Sequence, residues 1–337
     1  MQLYRTFESI PQAARGSVLA LGSFDGLHRG HQNVIGAAAA MADAMGTSLA
    51  VMTTEPHPRA FFKPDQPPFM LTPLRTKARL LSDFGVDTFF VLPFDASIAK
   101  MHAADFVNTI LLEQIGALHL VYGYDYRFGK GRGGSAAMLR YMGEEEGFGT
   151  TEISAIGVGV EGSAGEVYSS TLVRDALRQG LARQAAALLG HWWFVEGHVQ
   201  KGDQRGRTSG FPTANLDISD YVHPRFGVYA VRVRRGATGD FIPAVANLGK
   251  RPTFDKQDVT LEAHLFDFDE DIYGELLQVE FVSFIRPEKK FSGLEELKAQ
   301  IAKDCDTAKL ALANPDNAPD RFPVPHRSQF THLLPPE

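Results

Sequence analysis

Residues 22–35 read GSFDGLHRGHQNVI, placing His28 and His31 three residues apart. A short apolar run, SVLALG at 17–22, comes before them, and a helical pattern that closes on Gly46 comes after. The site is therefore a strand-to-helix turn. The start of a helix offers unpaired N–H groups and the positive end of a dipole, and so it holds anions. Gly26 and Gly30 would let the backbone come close to a phosphate. Imidazoles placed there can donate hydrogen bonds to phosphate oxygens as charge moves onto a leaving pyrophosphate. The alternative is a capping turn with two structural histidines. H-x-G-H directly after G-x-F-D-G favours the phosphate reading.

A second candidate is Glu262, in LEAHL (261–265). Alternation turns Leu261 and Ala263 to a core and leaves Glu262 beside His264 on the other face. By pattern alone this is a surface carboxylate on a strand. Two further segments imitate known sites. GKGRGG (129–134) fits G-x-G-x-x-G, but YRF separates it from the preceding strand and Lys130 and Arg132 interrupt its glycines, so no NAD or FAD site is expected. DFDEDIYGELLQ (267–278) has acids at loop positions 1, 3 and 5, but Ile272 and Gln278 stand where a calcium loop needs Gly and Glu.

The elements that must position these residues fall into two rhythms. Up to about residue 180, strand and helix signals alternate: SVLALG, a helix closing on Gly46, SLAVMTT, a helix in 72–85, VDTFFVLPF, HAADFVNTILLEQIG, LHLVYGYD, SAAMLRYMGEEEG, TTEISAI and SSTLVRDALRQG. In the helix at 72–85, Thr72 reads as the N-cap and Pro73 as the first residue. Such alternation predicts an α/β Rossmann-like domain, a mostly parallel sheet with helices on both faces. Beyond about 190, WWFVEGHVQ, 213–216, FGVYAVRVRR, DFIPAVANLG, VTLEAHLFDF and ELLQVEFVSFI predict about six antiparallel strands, closed as a small barrel or sandwich. The segment 293–312 predicts a closing helix, and six prolines in 313–337 an irregular tail. The expected division is 1–185, 186–312 and 313–337, with the boundary in 182–193.

The 337 residues suit two domains, with 44% apolar and 22% charged residues and a net charge of −6. Charge of that sign gives no broad field for nucleic acid. Cys305, the single cysteine, excludes an intrachain disulfide and a Cys/His zinc cluster, and suits a reducing cytoplasm. No secretory signal and no 18-residue apolar run is seen, so no membrane span is expected. Small molecules are the expected partners of a cytoplasmic monomer or weak homo-oligomer.

GSFDGLHRGH resembles the signature of HxGH nucleotidyltransferases. With EPHPRAFF (55–62), YGYDYRFGKGRGG (122–134) and SSTLVRDAL (169–177), the order and spacing resemble the bacterial bifunctional riboflavin kinase/FMN adenylyltransferase (FAD synthetase) family over roughly 15–310. GHVQKGDQRGRTSGFPTANL (197–216), AVANLGKRPTF (244–254) and LEAHLFDFDEDIYG (261–274) resemble its kinase half. The resemblance implies that His28 and His31 contact ATP phosphates and stabilise the transition state. Gly22, Phe24, Asp25, Gly26, Gly30, Ser170, Thr171 and Arg174 would bind nucleotide. It puts His57, Asp125 and Arg127 at the flavin, with Asp125 near the flavin phosphate or a magnesium ion. In the second half, Thr213 and Asn215 would hold Mg²⁺ and ATP phosphates, the loop 202–210 with Gly202, Gly206 and Gly210 would cover them, and Glu262 would be the general base. Lys201 and Gln204 depart from the family, which commonly has His and Gly there.

The two chemistries ask for different residues. A ribityl hydroxyl needs a base before it attacks a phosphorus. The phosphate of FMN is already an anion and needs only neutralisation of crowded charge. The expected activity is phosphorylation of riboflavin by ATP in the C-terminal half, then adenylylation of FMN by ATP to FAD and pyrophosphate in the N-terminal half. Its rivals are a chain with one working half and a non-catalytic flavin- or nucleotide-sensing protein.

Overall fold

The computed structural model describes residues 1–7, 10–159, 165–201, 211–236, 239–252 and 257–333. Four short, largely apolar runs, an N-terminal strand and a more polar edge strand form one parallel sheet: β1 (Gln2–Tyr4), β2 (Val18–Leu21), β3 (Leu49–Glu55), β4 (Thr88–Pro93), β5 (His119–Gly123) and β8 (Gly149–Ile153), in the order β1-β4-β3-β2-β5-β8. The intervening β6 (Arg127–Phe128) and β7 (Gly134–Ser135) make a separate antiparallel pair. In a parallel sheet covered on both faces strands read as continuous apolar runs, and every residue of Val18–Leu21 is buried. The chain steps from β2 to β3 and β4 on one side and returns to β5 and β8 on the other. The topological switch point therefore lies between the carboxyl ends of β2 and β5, where an open sheet binds ligands.

The helices of this half are α1 (Arg29–Met45), α2 (Pro58–Phe62), α3 (Leu74–Phe84), α4 (Ala96–Lys100), α5 (Ala103–Asp105), α6 (Ala136–Glu146), α7 (Ser170–Arg178) and α8 (Ala182–Leu189). Several details differ from the expectation. The three-residue edge strand β1 is too short to show a period. The helix expected at 102–116 is a π-helix over Phe106–Gln114. The region expected to hold the boundary is helical over Ala182–Leu189. Thr72 does not cap α3; Pro73 occupies that position, because the Thr72 hydroxyl is engaged by the β2–α1 turn. GKGRGG lies in the turn joining β6 to β7, not at the end of a parallel strand.

The second half is a closed antiparallel barrel of β9 (Phe194–Gln200), β10 (Ala214–Asp217), β11 (Gly227–Arg235), β12 (Ile242–Pro252), β13 (Gln257–Leu265) and β14 (Leu276–Arg286), ordered β10-β13-β12-β11-β14-β9. Closure leaves no open edge. Leu216, Val231, Leu248, Leu261, Leu277 and Val279 belong to the core inside it. Helix α9 (Leu294–Ala313) covers part of the outer face, packing Cys305 and Ala308 against Val228, Ala230, Val245 and Phe266. Beyond it the chain makes short 3-10 turns and returns to the sheet half, where Phe330 lies on α1 at Gly36 and Arg327 pairs with Asp87.

Segment 70–79 joins the halves. The Val222 N–H donates to the Met70 carbonyl (2.7 Å) and Trp193 Nε1–H to that of Leu71 (3.0 Å). On α3, Thr76 donates to Glu196 of β9 (3.1 Å) and meets the Tyr221 hydroxyl at 2.5 Å, while Arg79 is ion-paired with Glu196.

Candidate active sites

Strand β2 delivers Gly22 to the switch point, and the turn after it is held in an unusual shape. Phe24 (φ 47°), Gly26 (φ 87°) and Leu27 (φ 45°) all lie in the left-handed region. For the two side-chain-bearing residues this is strain that surrounding contacts must hold in place. Phe24 and Leu27 are buried, and Gly26 has no room for a Cβ beside Leu71. Asp25, only 1% exposed, ties the turn down. Its Oδ1 accepts from the N–H groups of Leu71 and Thr72 (both 2.9 Å), and its Oδ2 pairs with Arg174 (2.5 Å). Gly26 N–H donates to the Thr72 hydroxyl (2.8 Å), and Ser170 Oγ donates to the Asp25 carbonyl (2.9 Å). Arg174 also donates to the Phe69 carbonyl (2.6 Å). Asp25 and Arg174 thus hold each other and the turn.

His28 is the N-cap of α1: its Nδ1 accepts from the His31 N–H at 3.3 Å. A nitrogen that accepts carries no proton, so the neutral ring bears its hydrogen on Nε2. Gly30 makes this geometry possible, since a Cβ there would press on the His28 ring at 3.2 Å. The two imidazoles stack with centroids 3.6 Å apart, and His31 rests edge-on against Phe24 at 5.3 Å. Burial, followed by the Arg174 charge, lowers the His28 pKa to about 3. Burial, and then His28, Lys77 and Arg174, hold His31 well below the usual histidine value. Burial thus keeps His28 neutral near pH 7 and disfavours the charged form of His31 as well. His31 stays partly exposed, and its buried Nδ1 has no hydrogen-bond partner among the described residues.

Other residues named from the sequence lie around this turn at different depths. His57 caps α2 by accepting from the Arg59 N–H at 3.0 Å and packs against Phe69 at 5.2 Å; burial lowers its pKa to about 4, with Lys77 the next cause. Thr171 is exposed in the first turn of α7, behind the capping Ser169. Asp125 and Arg127 are exposed just beyond β5, across the switch point from Gly22.

The barrel candidate is built by strand register. Glu262 on β13 stands opposite Asn215 on β10 and opposite Asn247 on β12. Flanking Leu261 and Ala263 are buried in the barrel, so this row of an amide, a carboxyl and an amide lies on the outer face. Asn215 is buried, while Glu262 and Asn247 are half-buried. Thr213 immediately precedes β10. On the same face His264 Nδ1 lies 2.8 Å from the Pro212 carbonyl oxygen. Gly202, Gly206, Gly210 and Gln204 lie outside the described residues; Lys201, at their border, is exposed with its ammonium 5.9 Å over the Tyr273 ring.

The family profile described as FAD synthetase matches residues 10–169, and that described as riboflavin kinase matches residues 189–312. The bifunctional riboflavin kinase/FMN adenylyltransferase of Escherichia coli (strain K12) is 40% identical over 310 residues, covering 92% of this chain and 97% of the relative. The chain belongs to the bifunctional riboflavin kinase/FMN adenylyltransferase family. The relative of that description from Bacillus subtilis (strain 168) is 36% identical over 304 residues, or 88% of this chain and 93% of its own. A crystal structure described as a macrolide-efflux protein from Streptococcus pneumoniae matches with a TM-score of 0.79 and 30% identity, covering 91% of this chain and 98% of that one. Its description speaks of transport. No helix among the described residues here is long and apolar enough to cross a membrane, and the likeness is one of fold across both halves.

Two residues at these sites escaped the sequence reading. Asn247 was within reach of it, two residues from Val245 on a strand whose alternation was legible. Lys77 was not: nothing in TPLRTKARLL separates it from Arg75 and Arg79 except the face of α3 that it occupies. That face turns inward, and the Lys77 ammonium donates to the Ser23 carbonyl at 2.7 Å.

Proposed function

We propose that the chain makes FMN and then FAD, with one active site in each half. The observation that carries this reading is the pairing, within one polypeptide, of a carboxyl held in register between two amides and an imidazole pair at a switch-point helix start.

In the barrel, Glu262 takes the proton of the terminal ribityl hydroxyl of riboflavin as that oxygen bonds to the γ-phosphorus of ATP. The bond from the γ-phosphorus to its bridging oxygen breaks, and ADP leaves with the electron pair. Asn215 and Asn247 flank Glu262 on the neighbouring strands. Thr213 and Asn215 offer a hydroxyl and a carboxamide oxygen, the hard neutral donors that suit Mg²⁺ arriving with nucleotide phosphates. Among the described residues no group of three or more His, Cys, Asp or Glu forms a cage for a resident cation. Magnesium, when bound there, neutralises charge on the transferring phosphoryl group.

In the sheet half, an oxygen of the FMN phosphate attacks the α-phosphorus of a second ATP, and the bond to the β-phosphate oxygen breaks with its electron pair going to pyrophosphate. No proton moves, so no base is required. His28 presents Nε2–H, and the first turn of α1 presents N–H groups, where the leaving charge gathers. Ser170 and Thr171 open α7 beside them, while Asp25 and Arg174 hold the turn in shape. His57, Asp125 and Arg127 surround the flavin end.

The reading extends to a cytoplasmic monomer or weak homo-oligomer acting on small molecules and not nucleic acid, supported by the net charge of −6 and the single, buried thiol of Cys305. Incubation of the protein with riboflavin, ATP and magnesium, followed by chromatography, tests it. FMN appearing first and FAD after it is the expected result; FMN alone, or neither product, overturns it.

A further inference from the structure

The adenylyl-transfer site has to neutralise the phosphates of ATP and FMN, and of the basic side chains expected there from the sequence only Arg127, exposed beyond β5, is neither held toward its neutral form nor ion-paired among the described residues. Burial keeps His28 neutral and disfavours the charged form of His31. Arg174 is bound to the Asp25 carboxylate and the Phe69 carbonyl. Lys77 is different. It is 2% exposed, and among the described residues its ammonium has one hydrogen-bond acceptor, the Ser23 carbonyl oxygen, and no carboxylate within ion-pair distance. Buried ammonium groups are normally paired, because desolvation is costly otherwise. An ammonium has three donors, so two of the three on Lys77 are unused.

Its position is equally specific. Ser23 is the second residue of the turn after β2, at the switch point. The Lys77 charge is felt by His31 on the ATP side and by His57 and Glu55 at the end of β3, on the flavin side. Its charge therefore acts on residues expected at each of the two nucleotides. Burial lowers its pKa and the Asp25 and Glu55 carboxylates raise it, so an arriving anion stabilises the charged form further.

Building on the proposed adenylylation reaction, we propose that Lys77 is the phosphate-binding cation of this site, giving its two unused N–H donors to oxygens of the FMN phosphate and of the ATP α-phosphate as they join. The strained turn then has a second purpose: it holds the Ser23 carbonyl where it aims the ammonium before substrate arrives.

The test is Lys77→Met, which keeps most of the length of the side chain and removes the charge. FAD formation from FMN and ATP should fall about a hundredfold or more, the loss typical of one transition-state donor. FMN formation from riboflavin in the same sample should be unchanged, which also reports that the chain is folded. The thermal midpoint should hold or rise, because a buried and under-partnered charge has been replaced by an apolar group. Wild-type rates of FAD formation in this variant overturn the proposal. If the midpoint falls along with FAD formation, Lys77→Ala decides: restoration of FAD synthesis by added ethylammonium supports the charge role, and absence of rescue overturns it. A wild-type chain that makes no FAD would instead remove the reading on which the proposal stands.

Discussion

The turn after β2 and the outer face of β13 fix their polar groups by opposite means. In the barrel, three neighbouring strands put Asn215, Glu262 and Asn247 in one row, and the ladder alone sets their spacing. In the sheet half the ladder stops at Leu21, and the turn is held by side chains from far along the chain: Thr72, Ser170 and Arg174. Register gives a site that tolerates change around it. A turn with positive φ at Phe24 and Leu27 depends on the buried Asp25–Arg174 pair and on the Thr72 and Ser170 hydroxyls that hold it. The difference suits the chemistry, since a base needs one direction and a crowded polyphosphate needs several donors at once.

The sharpest way to separate the two sites is to remove Glu262, the base proposed for the barrel. Glu262→Gln keeps the shape of the row and should lower FMN formation by about 10²–10⁴-fold. FAD formation from supplied FMN should be untouched; a parallel fall in both rates would mean that the sites are not distinct. The reciprocal variant is His28→Asn, which retains a good N-cap for α1 while removing the imidazole. FAD formation should drop by about 10²–10³-fold with FMN formation intact, both read by chromatography.

A third variant tests the claim that the turn rests on distant contacts. Asp25→Asn leaves Arg174 buried without its partner and should cost about 3–5 kcal/mol in unfolding experiments. No substitution along the Asn215, Glu262 and Asn247 row should cost as much. The smallest effect concerns pH. An unfolded histidine binds its proton below about 6.5, whereas folded His28 does so only near 3, so between those values the unfolded chain carries the extra proton. Stability is therefore full above 6.5 and falls as pH drops through that window, by about 1.4 kcal/mol per pH unit for this residue. Urea unfolding at pH 7 and pH 5 should show a shallower loss in His28→Asn than in the wild type.

What could be read from the sequence follows the same divide. The six barrel strands and the side of β13 that carries Glu262 were legible, because alternation is a local signal. So was the strand-to-helix turn, from the apolar run before its glycines and histidines and the helical pattern after them. The electrostatics were not. Asp25 and Arg174 are 149 residues apart in the chain, and no local pattern announces that they neutralise each other. Lys77 reads as one more surface cation of an amphipathic helix until the fold turns it inward. The protonation of His28 and His31 depends on burial and on those same distant charges, so the residues were identifiable while their charge state was not.

Three residues within a single turn of α3 have divided loyalties. Thr76 and Arg79 grip Glu196 of the barrel, and Lys77 between them grips the turn that follows β2. Cutting the polypeptide between its halves would therefore not yield two clean modules. The sheet fragment would lose the carboxylate against which Arg79 rests, the barrel fragment would bare Glu196 and Tyr221, and the helix that aims Lys77 would be left without its mooring.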